Sequence, residues 1–98
     1  MELITLDQDE ERLAAMLKAL GHPLRLGIVR FVATHPGCIC NEIVIRTKRA
    51  QSTISQHLHI LQSAGLIEAI HDGNTTSYYL DRQALSWLQK ALAMQVST

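Results

Sequence analysis

Between positions 46 and 56 the chain sets three cations beside five uncharged side chains that both donate and accept hydrogen bonds. The cations are Arg46, Lys48 and Arg49; the polar set is Gln51, Ser52, Thr53, Ser55 and Gln56. Gln pairs bidentately with adenine in the major groove, and Ser or Thr contacts several bases. Arg and Lys neutralise phosphates, which fix register and supply most of the affinity. Recognition of double-stranded DNA is the chemistry these residues offer. Scattered on an arbitrary surface they would be only a solvated helix face beside a basic turn, so the surrounding elements decide.

A second candidate is Cys38-Ile39-Cys40. Soft thiolates select soft metals. Two donors are few, because Zn²⁺ usually takes four, so a third ligand would come from a partner chain, a free thiol or a histidine. On a regular helix, residues two apart point about 200° apart. Both thiols reach one ion only if the segment is non-helical or begins a helix, and Asn41 as N-cap allows this. Two other readings stand beside it: small buried apolar residues, or an oxidant switch. A disulfide between residues two apart is strained, so an oxidant switch would bridge chains. Among the histidines, His57 lies three after Ile54, toward the core, as a packed, hydrogen-bonded ring. His59 faces outward and is placed to meet a phosphate. His22, before Pro23, reads as a cap or turn residue.

The elements that must position these groups follow from periodicity. Leu13, Met16, Leu17 and Leu20 recur at helical spacing, which predicts a first helix over about 7–20. Asp7, Asp9, Glu10 and Glu11 fall in its first turn, where the dipole favours anions, and Gly21 stops it. Pro23 suits a first helical position. Leu24, Ile28, Phe31 and Val32 line one face of that second helix, which His35-Pro36-Gly37 ends. A short helix of about 42–47 and a polar turn, Thr47-Lys48-Arg49, lead into a helix of about 51–64. Its stripe is Ile54, Leu58 and Leu61, and Gly65 is its left-handed terminator. Runs 66–70 and 77–80 are β-prone, with Asp72-Gly73-Asn74 as the hairpin turn between them. A last helix spans about 82–94, its apolar face made by Leu85, Trp87, Leu88, Ala91 and Leu92. The order helix, helix, helix–turn–helix, hairpin, helix predicts a mainly α winged helix-turn-helix with a small β-hairpin. Residues 51–56 then sit at the start of the second helix of the motif, the part that reaches base edges.

Composition bounds the rest. Ninety-eight residues with 47% apolar content make one globular domain over 1–98. Formal net charge is zero, which by itself points to no nucleic acid or membrane, but the zero conceals an asymmetry. Residues 1–12 hold Glu2, Asp7, Asp9, Glu10 and Glu11 against Arg12, so the remainder carries eight basic and four acidic residues. No apolar run suits a membrane span, the N-terminus lacks an export pattern, and two cysteines are no disulfide framework. A reducing cytoplasm is the expected compartment.

Ala19-Leu20-Gly21-His22-Pro23-Leu24-Arg25-Leu26 resembles the start of the second helix in the ArsR/SmtB family of bacterial repressors. Ser52-Thr53-Ile54-Ser55-Gln56-His57-Leu58, then Leu61, then Ala64-Gly65-Leu66-Ile67, is similar to that family's recognition helix and its exit. The resemblance covers about residues 12–90. It implies a homodimeric winged-helix repressor on a two-fold operator, with recognition helices about 34 Å apart. Many members release DNA when a metal or metalloid binds; others answer to oxidants or to no known ligand. Arsenic-sensing members carry a Cys-x-Cys here with a third Cys that would fall near Ile43. The implied inducer is arsenic(III) or another thiophilic metal at Cys38 and Cys40, with no cofactor required. The last helix lacks the Asp/His pattern of the family's zinc sensors.

Two departures matter. Ala50 stands where the family often has a capping Ser or Asp, and Ala is a poor N-cap, by about 1 kcal/mol. The hairpin offers His71, Asn74, Thr75 and Thr76 where family wings often carry Arg or Lys, so Asn74 and Thr75 are its DNA-facing candidates. Leu13, Met16, Leu17 and Leu20 with Leu85, Trp87, Leu88 and Leu92 are expected to form the dimer interface unless they pack within one chain. Two other classes compete. A thiol enzyme needs an activated thiolate, but no paired base is evident. A helical protein-interaction module would use the same outer helices without DNA.

Overall fold

The computed structural model describes residues 5–97. Asp7 opens α1 (Gln8–Leu20) with a reciprocal capping box. Its carboxylate accepts from the Glu10 N–H at 2.8 Å, and Glu10 accepts from the Asp7 N–H at 3.1 Å. His22 caps α2 (Pro23–Thr34), its Nδ1 accepting from the Leu24 N–H at 3.2 Å, with Pro23 at the first helical position. Of the cap and turn roles expected of His22, the structure shows the cap.

The short helix α3 spans Cys40–Thr47, two residues earlier than its sequence suggests. Ile39, not Asn41, is the residue before it. The Ile39 N–H donates to the Glu42 carboxylate at 3.0 Å, so Glu42 starts the helix by reaching back. Asn41 is left exposed in the first turn. Lys48 ends α3 in the left-handed conformation, φ 57°, its N–H donating to the Val44 carbonyl at 2.8 Å. That single residue turns the chain into α4 (Gln51–Ser63). Gly65, φ 79°, ends α4 as expected.

The hairpin is longer than the β-prone runs. Strands β1 (Ile67–Asp72) and β2 (Thr75–Leu80) pair antiparallel from Ile67↔Leu80 to Asp72↔Thr75. Only Gly73 and Asn74 form the turn, and Gly73 takes φ 61°; a two-residue turn allows pairing up to its edge. Three backbone bonds tie down the hairpin. The Gly37 N–H donates to the Tyr78 carbonyl at 2.9 Å, the Tyr78 N–H to the Cys38 carbonyl at 2.8 Å, and the Asp81 N–H to that of Leu66 at 3.0 Å. Gly37, φ 85°, lies against Tyr79; a Cβ there would meet its hydroxyl at 3.2 Å. Asp81 then caps α5 (Arg82–Val96), accepting from the Ala84 N–H at 3.0 Å.

One core joins these elements. Met16, Val32, Ile54, Leu61 and Leu66 are fully buried, and Ile28, Ile43 and Leu58 nearly so. Burying a side chain of this size contributes about 1.5–3 kcal/mol. Leu13, Met16 and Leu88 also belong to this core, so they correct the expected dimer surface: α1 and α5 pack on each other within one chain. Arg12 lies 4.0 Å over the Trp87 ring, and Gln95 donates to Glu10 at 3.0 Å. What remains uncovered on the outer elements is Leu6, Leu17, Leu92, Met94 and Val96. No helix among the described residues is long and apolar enough to cross a membrane.

Candidate nucleic-acid interface

The interface is built on α4. Its inner stripe, Ile54, Leu58 and Leu61, is locked in the core, which fixes the helix rotation. Gln51, Ser52, Ser55, Gln56 and His59 are therefore held outward and exposed, while Thr53 is half-buried on one flank. No side chain caps the helix; Ala50 is extended there, φ −62° and ψ 145°. The first amides of α4 are thus without a side-chain acceptor, which is the arrangement in which a helix N-terminus receives an anion.

The hairpin runs beside α4. Gln51 and Ser55 share a cleft of about 350 Å³ with Asn41, Asn74, Thr75 and Thr76, and Cys40 and Tyr78 also line it. The structure therefore brings the recognition-helix candidates and the hairpin candidates to one surface. Tyr78 is a cleft residue that the sequence did not single out, and Asn41 was read there only as a cap; the packing of α3 and the hairpin beside α4 brings both to this cleft.

The cations divide. Lys48 and Arg49 are exposed in the turn leading into α4. Arg46 is exposed too, but its guanidinium lies 5.3 Å over the Phe31 ring of α2. Along the flank of α4 away from the hairpin stands a cluster no local pattern announced. His57 Nδ1 lies 3.3 Å from Arg25 Nη1, and its ring is centred 4.9 Å from that of His22. His57 is the hydrogen-bonded, core-side histidine its position suggested. Burial, then the charges of His22, Arg25 and Arg49, hold its pKa below the ordinary histidine value.

Cys38 is buried, 3% exposed, and Cys40 is half-buried at the first position of α3. Burial raises both thiol pKa values, with the Glu42 carboxylate adding to the effect at Cys38. At neutral pH both are thiols, the unreactive form. Among the described residues no group of three His, Cys, Asp or Glu side chains is placed to hold a metal ion.

A helix–turn–helix of α3 and α4, backed by α2 and flanked by a hairpin, defines a winged-helix protein. Residues 20–70 match the helix-turn-helix domain family. The chain is 34% identical over 85 residues to the HTH-type transcriptional regulator YgaV of Escherichia coli, spanning 87% of this chain and 86% of that one. It is 39% identical over 71 residues to an uncharacterised HTH-type transcriptional regulator of Methanocaldococcus jannaschii, spanning 71% and 79%. It also superposes on the homodimeric winged helix-turn-helix DNA-binding domain of a possible ArsR-family regulator from Mycobacterium bovis. That match has a TM-score of 0.71 and 25% identity, covering 99% of this chain and 94% of that one. The chain belongs to the ArsR-like winged helix-turn-helix transcriptional regulators.

Proposed function

We propose that this regulator is a homodimeric repressor, acting in a reducing cytoplasm, that reads a two-fold DNA operator through α4. One observation carries the reading. Gln51, Ser52, Ser55 and Gln56 project from a helix whose opposite face is wholly fixed in the core. A rigid element holds base-reading side chains better than a loop does. Lys48, Arg49 and the uncapped start of α4 supply phosphate contacts beside it. His59 continues the outward row, and Asn74 and Thr75 approach from the wing. Dimerisation is supported by the homodimeric relative and by the uncovered Leu17, Leu92, Met94 and Val96. The same apolar residues would serve an interaction module, but such a module gives no reason for the polar row on α4.

Derepression by arsenic(III) or another thiophilic metal at Cys38 and Cys40 is the finer proposal. The two thiols of one chain do not complete a three- or four-donor site, so a donor from outside the chain is needed. A separate observation favours a thiol signal. Cys40 lines the cleft shared by Gln51, Ser55 and the wing. A group added to that sulfur would stand where the DNA-facing surface closes. An oxidant acting on Cys40 has the same geometric support.

The test is fluorescence anisotropy of the reduced protein on the DNA upstream of its own coding sequence, with arsenite titrated into the formed complex. Salt-dependent binding that Gln56→Ala weakens is expected. A fall at stoichiometric arsenite, abolished in a Cys38→Ser/Cys40→Ser variant, supports the metalloid signal. A response to peroxide alone replaces it with the oxidant. Absence of salt-dependent DNA binding overturns the repressor.

A further inference from the structure

Major-groove reading brings a helix between two phosphate backbones, and the two flanks of α4 are unequally prepared for them. The wing flank carries no Arg or Lys: the hairpin's charged residues are Glu68 and Asp72, and its one histidine, His71, is hydrogen-bonded to Thr76 at 2.9 Å. The opposite flank gathers Lys18 of α1, the cap residue His22 and Arg25 of α2, Arg49 of the turn, and His57 with His59 of α4. Lys18, Arg25 and His59 line one groove there, of about 450 Å³.

We infer that this flank is a second phosphate-binding surface, in which His22, Arg25 and His57 grip the DNA strand on the side away from the wing. The inference rests on the DNA reading above and adds to it the residues that hold the second backbone. The hydrogen bonds are arranged for it. His22 Nδ1 accepts from the Leu24 N–H. His57 Nδ1 faces Arg25 Nη1, which can only donate. Each ring therefore carries its neutral-form proton on Nε2, a donor directed away from the protein partner. Arg25 engages two of its five N–H groups, Nε with the Ala19 carbonyl at 2.7 Å and Nη1 with His57, and the others are left for an anion.

The charges acting on His57 are His22, Arg25 and Arg49, and Lys18 stands beside the same groove; none is an acid. A phosphate placed among them supplies the missing counter-charge. The proton that His57 gains falls on Nδ1, so uptake goes with Arg25 Nη1 turning from that nitrogen to the phosphate. By linkage, affinity then rises as pH falls through the histidine range, by about tenfold for each unit by which the complex raises the His57 pKa.

The experiment measures anisotropy on the protein's own upstream duplex and on a scrambled duplex, at about pH 6 and about pH 8, over a salt series. His57→Gln is expected to lose most of the pH dependence, and His59→Gln reads the share of that exposed ring. Lys18→Gln, at an exposed position, is expected to weaken binding equally on both duplexes and to reduce the salt slope by about 0.9 for each phosphate it leaves without a cation. Gln56→Ala is expected to lose discrimination between the duplexes while keeping the pH dependence. If His57→Gln keeps the wild-type pH dependence and Lys18→Gln keeps the wild-type salt slope, the second surface is refuted and base reading stands. If the wild-type protein binds neither duplex, both readings fall.

Discussion

Lys48 is placed where two demands oppose each other, and replacing it with glycine separates them. Its φ of 57° is the only positive value at a non-glycine residue among those described. A side chain in that conformation costs about 1–2 kcal/mol. Glycine removes the strain but brings back about 0.4–1 kcal/mol of unfolded-chain entropy. The Val44 carbonyl is still bonded, since it accepts from the backbone N–H of residue 48. Lys48→Gly should therefore be more stable by roughly 0.5–1 kcal/mol, which for a domain of this size raises Tm by about 2–8 °C. The same substitution deletes an exposed cation at the entrance to α4. The salt slope of DNA binding should fall by about 0.9 per protomer, with weaker affinity at low salt. Calorimetry at fixed protein concentration and anisotropy over a salt series read the two effects separately. A variant less stable than the parent refutes the strain argument. A more stable variant with an unchanged salt slope refutes the phosphate role of Lys48.

Ala50→Ser gives α4 the side-chain acceptor it lacks and should add about 1 kcal/mol, visible as a higher Tm. Leu61→Ala, at a fully buried position, should cost about 2–5 kcal/mol in denaturant titration. A loss under about 1 kcal/mol would mean that α4 is not held by the core as described. In the native protein Cys40 should react with a thiol reagent before the buried Cys38, and each more slowly at neutral than at alkaline pH. Because burial raises the folded pKa of Cys38, Cys40 and Tyr78, their contribution to stability is intact below the ordinary thiol and phenol values and is lost as pH rises from those values through the raised ones. His57 has the opposite sign: its depressed pKa favours the fold above the ordinary histidine value, and this is lost as pH falls. A pH series of Tm for the parent and for His57→Gln checks both ends.

Element order was legible because most elements carry a local signal at one end or the other. Pro23 opens α2, Gly65 closes α4, and Gly73 turns the hairpin through local backbone preferences that need no distant partner. The outward row of α4 was legible for a related reason: Ile54, Leu58 and Leu61 name the inner face, and the polar residues between them must face out. The start of α3 was misplaced because Asn41 is the better intrinsic cap. Glu42 decides otherwise by bonding the Ile39 N–H, with Cys38 already held to Tyr78 far along the chain.

The amino-acid sequence by itself thus determined the order of elements, the rotation of the recognition helix and the polar residues it presents, since these rest on period, caps and turns within a few positions. Tertiary structure alone decided the rest. It buried Leu13, Met16 and Leu88 inside one chain, drew Arg46 onto Phe31, set Cys40 in the lining of the wing cleft, and joined Arg25 to His57 across 32 positions. The physical reason is that a side chain's partner across the fold depends on how helices pack, and packing is settled by the whole core at once.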